Sequence, residues 1–323
     1  MSTATAKADL VSLGAVREAA ERVAGVAIRT PLLPSAHLTR ELGADVRLKC
    51  ENFQPPGSFK IRGAYNYISR LDPSERSRGI ITYSSGNHAQ AVAYCAAEFG
   101  VRAVVVMPTT APAVKREGTA RWGAEVILEG TTSLHRKARA EAIAEAEGLS
   151  MIPPFDDPVI IAGQGTAGLE VHEDFPQMDT WVCCIGGGGL ASGTAVALRA
   201  LNPECRLIGV EPKGAASMRA ALDAGHPVPL PGIDTIADGL APIQAGDLTF
   251  LHIRDLMDDV VTVADEAIRE ATSFLLREQK LVVEFSGAAT VAAIRSGVVE
   301  VAGRRVGAMI SGGNLDPSLL SQL

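Results

Sequence analysis

Cysteine is scarce in this chain, and no spacing puts it to use. The five residues Cys50, Cys95, Cys183, Cys184 and Cys205 are odd in number and form no C-x-x-C pair. That argues against a disulfide framework or a zinc site and leaves buried, reduced thiols as the expectation. No basic stripe stands out, and the net charge is -7, so a nucleic-acid backbone has nothing to meet and the acidity reads as solubility. Long apolar runs are missing too. Stretches such as LVVEFSGAATVAAI are interrupted by Glu284 and fall short of a membrane span. The opening MSTATAKADLVSLG holds no apolar core of signal-peptide length, and the expectation is a soluble, cytoplasmic protein with no membrane partner. Repeats, low-complexity tracts and long linkers do not occur. No G-x-G-x-x-G opens the chain and no Walker lysine follows its glycines, which weakens a dinucleotide or nucleoside-triphosphate reading.

What remains is a chain of 323 residues, 47% hydrophobic and 21% charged, long enough for two modest domains or one large α/β unit with a sizeable core. Valine- and isoleucine-rich runs appear at DVRLKCEN, GIITYSS, RAVVVMP, EVILEG, TWVCCIGGG, RLIGVEP, DVVTVAD and RVGAMISGG. Alanine-rich stretches with helical spacing, such as AQAVAYCAAEFG and SLHRKARAEAIAEAEG, lie between them. Alternation of this kind predicts an α/β protein with parallel sheets covered by helices on both faces. The proline clusters MIPPFDDP and HPVPLPG are the expected crossings between lobes.

The chemistry gathers where strands end and helices begin, the edge at which open α/β sheets bind ligands. Gly186, Gly187, Gly188 and Gly189 follow a strand-like run and lead straight into the helical LASGTAVALRAL. Four consecutive glycines exceed what a turn needs, and backbone amides at a helix start with no Cβ in the way form an anion cradle. The ligand should carry a single phosphate. Lys60 stands alone among glycine, serine and phenylalanine in GSFKIRGA. By itself it reads as a solvated charge; beside a phosphate cradle it reads as the amine that forms a Schiff base with pyridoxal 5′-phosphate, whose ring withdraws electrons from a carbanion.

The whole chain from about residue 10 to the final SGGN resembles the fold-type II pyridoxal phosphate enzymes, and within them the branch of serine racemase, threonine (serine) dehydratase and threo-3-hydroxyaspartate dehydratase. The resemblance rests on GSFKIRGA, SSGNHAQA, AGQGTAGLE, GGGGL, GVEP, TIADG and SGGN in family order. It implies a tryptophan synthase β-subunit-like fold, with two open, twisted, mostly parallel sheets flanked by helices. Residues 1–75 and 157–323 would form a large cofactor-binding domain, and 76–156 a small domain closing over the substrate. It implies pyridoxal 5′-phosphate as cofactor, an amino-acid substrate and a homodimer. Lys60 resembles the Schiff-base lysine, Phe59 the residue against the ring, and Asn87 the partner of the ring hydroxyl. Gly186 to Leu190 resemble the phosphate cradle, Ser311 the partner of the pyridine nitrogen, and Glu284 a further cofactor contact. A serine at the nitrogen lends it no charge, which suits β-elimination or racemisation better than transamination.

Ser84, Ser85, Asn87 and His88 supply amides and hydroxyls suited to a substrate α-carboxylate; His88 reads as a packed or capping imidazole whose backbone contributes. Ser85 matches the racemase group opposite Lys60, where two opposed proton carriers permit exchange across Cα. Arg136 matches an arginine shared by the racemase and hydroxyaspartate dehydratases and would pair with a carboxylate; the alternative is a solvated helix charge. Glu211 lacks the aspartate that relatives carry six residues on, Ser217 standing there, and no metal site is expected. The implied activity is a dehydratase (ammonia-lyase) converting serine, threonine or threo-3-hydroxyaspartate to a 2-oxo acid and ammonia. The alternatives are a serine or aspartate racemase and, in a different class, a non-catalytic cofactor-binding regulator. Intact Lys60, the glycine cradle and Ser311 speak against the last.

Overall fold

Each of the eight β-branched runs forms a strand in the computed structural model, which describes residues 10–111, 113–131 and 133–323. In chain order the strands are β1 (Leu32–Pro34), β2 (Asp45–Cys50), β3 (Ile80–Tyr83), β4 (Ala103–Met107) and β5 (Glu125–Leu128). They continue as β6 (Ser150–Met151), β7 (Thr180–Cys184), β8 (Arg206–Pro212), β9 (Asp259–Val263) and β10 (Arg305–Ile310). One sheet has six strands in the order β1-β2-β10-β7-β8-β9, parallel except for β1, which runs antiparallel along β2. The other has four parallel strands in the order β5-β4-β3-β6. Central strands β4 and β7 are buried at every residue, the condition of a parallel sheet with helices on both faces. The fold is therefore α/β with two mostly parallel sheets.

Strands β1 and β6 are the two that the sequence does not announce. They have three and two residues, too few for any period to register, and exist because a neighbouring strand is there to pair with. The proline clusters divide. MIPPFDDP links β6 of the small sheet to helix Pro158–Asp174, whose Ala167 and Val171 pack into the core of the large sheet. HPVPLPG is not a crossing, a correction to the sequence reading: it lies between β8 and β9, both in the six-stranded sheet, on an exposed excursion.

The large core is built around buried Trp181 and the helix Phe285–Arg295, whose first ten residues, polar Ser286 and Thr290 among them, are all buried. Helix Pro158–Asp174 and helix Gly189–Leu201 touch backbone to backbone. A Cβ at Gly193 would stand 2.9 Å from the Gly165 Cα and closer still to the Ile161 carbonyl. The small residues of AGQGTAGLE and LASG are thus what lets these two helices close-pack, and that contact fixes where the second helix begins.

Candidate active site

Lys60 opens helix Lys60–Arg70, and its position is set from both sides. On one side the turn before it is laced to the end of β10: Phe59 N donates to the Ser311 carbonyl (3.1 Å) and Gly313 N to the Gly57 carbonyl (2.8 Å). On the other, fully buried Arg62 donates to Glu51 (2.8 Å from Nε and from Nη2), to Glu170 (2.7 and 2.8 Å) and to Thr166 Oγ1 (3.0 Å). Lys49 also pairs with Glu170. Such a cluster is tolerable in a low dielectric only because every charge is answered. Lys60 itself donates from Nζ to the Pro154 carbonyl (2.7 Å) and lies 5.3 Å from the Phe59 ring centroid. Burial of the ammonium pulls its pKa down to about 8, against a smaller opposing influence from Cys184. A free amine at near-neutral pH is a nucleophile and a base.

Facing it is the glycine run. Helix Gly189–Leu201 starts from Gly188, whose φ of 95° is left-handed and which offers no side-chain cap, so the first-turn amides of Gly189 and Leu190 await an acceptor from outside. Thr249 Oγ1 donates to the Gly187 carbonyl (2.8 Å), and the Phe155 ring occupies the space a Cβ on Gly187 would need. At Gly188 that Cβ would meet the Thr249 Cβ at 2.7 Å. Uncapped amides, the positive end of a helix and walls that admit no side chain fit a phosphate monoester.

Between cradle and lysine stand the polar groups that can address a flat ring. Ser311, at the end of β10, hydrogen-bonds the Cys184 sulfur. Asn87 accepts from Asn314 Nδ2 (2.9 Å) and donates to Glu284. Burial lifts the Glu284 carboxyl to about 7; the Lys115 charge works against that lift, Asp238 adds to it, and the Asn87 hydrogen bond opposes it.

The outer wall carries Tyr83, Ser84, Ser85, His88 and Arg136. His88 meets the Ile152 carbonyl at 3.3 Å, and burial, then the Lys60 charge, depresses it to about 3. It is neutral at any physiological pH, which agrees with a packed imidazole. Arg136 is half-buried, its pKa lowered by burial. Nη1 reaches the Thr131 carbonyl at a long 3.5 Å, and Nε is buried with no partner among the described residues.

Phe59, Lys60, Ser84, Ser85, Asn87, His88, Arg136, Gly186 to Leu190, Glu284 and Ser311 all line one cavity of about 380 Å³. Sequence reasoning missed others there: Lys115, Tyr83, Phe155, Cys184 and Asp238. Asp238 had a signal, the TIADG motif; Lys115 had none. Glu211 lies elsewhere, both its oxygens taken by the amides of Met218 and Arg219 (2.8 Å each), so that it caps helix Ser217–Ala224.

A depressed amine opposite an uncapped helix start, with polar groups between them, defines an enzyme that binds a small phosphorylated carbonyl compound. Comparison with known proteins makes this particular. Residues 23–312 match the family model described as pyridoxal-phosphate dependent enzyme. The chain is 43% identical to the L-threonine ammonia-lyase of Thermotoga maritima over 97% of this chain and 78% of the relative. It is 42% identical to the L-threo-3-hydroxyaspartate ammonia-lyase of a Pseudomonas species, over 93% of this chain and 94% of the relative. The solved structure of maize serine racemase superposes with a TM-score of 0.93 at 40% identity, covering 97% of this chain and 96% of that one. The protein belongs to the family of pyridoxal-phosphate-dependent enzymes, in its fold-type II branch, and pyridoxal 5′-phosphate is its cofactor.

Proposed function

We propose that the enzyme is a hydroxy-amino-acid dehydratase that converts a β-hydroxy-α-amino acid to a 2-oxo acid and ammonia, with threo-3-hydroxyaspartate as the preferred substrate over serine and threonine. The observation that carries the preference is Arg136: a half-buried guanidinium on the outer wall whose Nε is buried without a partner among the described residues. A second carboxylate on the substrate would answer it with a charge-assisted hydrogen bond.

The bound cofactor supplies an electron-withdrawing ring that makes the Cα hydrogen of the substrate acidic. Gly186 to Leu190 hold its phosphate, Phe59 packs the ring, and Ser311, Asn87 and Glu284 address the ring's polar atoms. Lys60 would hold the cofactor covalently through Nζ, and once the substrate amine has taken its place on the cofactor's carbonyl carbon the freed neutral amine would take the Cα proton. Ser84, Ser85 and the start of helix Asn87–Phe99 receive the α-carboxylate. The Cβ hydroxide leaves with a proton as water; the enamine released tautomerises and regains water on hydrolysis, so the net products are the 2-oxo acid and ammonium. The segment 76–156 would form the lobe that covers the substrate, and 1–75 with 157–323 the lobe that holds the cofactor, residues 1–9 of that span lying outside the described residues.

Ser85 lines the same cavity, which supports racemisation as a second reading. The proposal extends to a homodimer in the cytoplasm, with exposed Phe53 and Val282 as surface for a second copy to cover. No helix among the described residues is long and apolar enough to cross a membrane.

The test is 2-oxo acid release over serine, threonine and threo-3-hydroxyaspartate, with chiral chromatography of the remaining substrate. Hydroxyaspartate should show the highest kcat/KM. Arg136→Ala should cost it about tenfold to a hundredfold, the worth of roughly 1.5–3 kcal/mol for a lost charged hydrogen bond, and cost threonine little. Equal losses on both would assign Arg136 to the α-carboxylate, and D-enantiomer as main product would replace the dehydratase by the racemase.

A further inference from the structure

Lys115 lines the cavity but has no part in the reading above. It belongs to helix Ala113–Ala120, on the side of the four-stranded sheet, and is only 7% exposed. Its stem crosses Gly86: a Cβ there would lie 3.2 Å from Lys115 Cδ and 3.4 Å from Nζ. The ammonium then reaches over to Asp238, in the 3-10 turn Asp238–Leu240 of the other lobe, and pairs with it. Asp238 is half-exposed, and an ion pair to an exposed acid is worth little by itself. It does not explain why a long cationic side chain is buried beside the Ser84–His88 loop.

A second acid does. Glu284, 3% exposed, receives the Asn87 amide inside the cavity, and it feels both members of the outer pair, Lys115 drawing its proton off and Asp238 favouring it. Of the other titratable groups, the Cys184 thiol senses Glu284 and Asp316 senses Lys115, while Lys60, Tyr83, His88, Arg136 and Lys137 line the same cavity. Asn87 is fixed from its far side by Asn314, so its Nδ2 is turned to Glu284 as donor, and the bond is stronger when the Glu284 carboxyl is ionised.

We propose that Lys115 is a positioning residue of the active site: anchored on Asp238 across the mouth of the cavity, its ammonium supplies a charge that favours the ionised form of Glu284, the stronger acceptor for Asn87, and so governs the ring-hydroxyl side of the cofactor. The inference rests on the placement of Asn87 and Glu284 at the ring proposed above, and is independent of which amino acid is turned over. Its signature is a pair of opposite shifts. Removing the Lys115 charge raises the Glu284 carboxyl from its value of about 7, and removing the Asp238 charge lowers it. Two variants that merely loosened the lobes would move together.

The experiment is a pH titration of the visible absorbance of the cofactor-loaded enzyme, without substrate, in the wild type and in Lys115→Met, Asp238→Asn, Lys115→Arg and Glu284→Gln. The expected result is a midpoint that moves up by about one unit or more in Lys115→Met, the usual effect of losing a close opposite charge. It moves down in Asp238→Asn, returns in Lys115→Arg and vanishes in Glu284→Gln. Shifts of Lys115→Met and Asp238→Asn in the same direction, or no shift in either while Glu284→Gln still abolishes the transition, overturn the role of Lys115 alone. A transition untouched in Glu284→Gln overturns the placement of Glu284 at the ring and this inference with it. Should Lys115→Met not fold, the downward shift in Asp238→Asn and its absence in Asp238→Asn/Glu284→Gln decide the matter.

Discussion

Lys60 shows how much a single burial changes. An ordinary lysine titrates near 10.4, and one at about 8 holds roughly two-hundredfold more neutral amine at pH 7. The neutral amine is the form that attacks a carbonyl carbon, so the rate of cofactor loading follows its population. Mixing the cofactor-free protein with pyridoxal 5′-phosphate and following the visible band should give a rate that rises with pH and levels off above about 8; a continued rise to pH 10 would mean that the ammonium is not desolvated. His88, depressed to about 3, contributes no titration in that range. Lys60 and the glycine run are legible in the sequence because each breaks a local rule: a lone cation in an apolar turn, and a costly run of glycine. Lys115 is one cation on an ordinary helix, and its acid lies 123 residues away. Nothing local marks it; only the folded chain brings it to the site.

At the scale of elements, the start of helix Lys60–Arg70 is held by charge rather than by a cap, since Phe59 offers no capping side chain. Arg62 answers both Glu51 and Glu170 there. Arg62→Met should destabilise the protein by about 3–5 kcal/mol, because fully buried Glu51 loses its guanidinium partner and partly buried Glu170 keeps only Lys49, measurable as a fall in Tm and in urea midpoint. Burial alone would raise the Glu51 carboxyl, but Arg62 overrides it and holds the group below its ordinary value. A depressed carboxyl contributes stability that is complete above its unfolded pKa, about 4, and fades as the pH falls further. The acid limb of the wild-type stability curve should therefore be steeper than that of the variant. The large elements of this fold were open to reading: the β-branched runs and alanine-rich helices have enough residues for a period to show. Strands β1 and β6 have too few, and HPVPLPG looks like a crossing because proline reports a break in regular structure and not where the chain goes next.

Across the whole molecule, one short connection ties the parts together. Leaving β6, the chain offers the Pro154 carbonyl to Lys60 Nζ, lays the Phe155 ring over Gly187, caps helix Asp247–Leu256 through Asp156, and caps helix Pro158–Asp174 through Asp157. Asp156 accepts three amides, each at 3.0 Å. Inserting one glycine between Phe155 and Asp156 should leave far-UV circular dichroism near that of the wild type but abolish cofactor uptake, read as loss of the visible band. Uptake within tenfold of normal would show that these contacts can be remade one at a time. The same arrangement bears on how such genes drift. Homologous chains ordinarily change length by gaining or losing codons in exposed turns, where nothing downstream depends on the count, and the exposed turn at Gly225 and His226 is open to that kind of change. Between Ile152 and Pro158 four consecutive residues serve four different neighbours, so a frame-preserving insertion or deletion displaces them all at once. Descent can rewrite the letters there, but it has to keep their number.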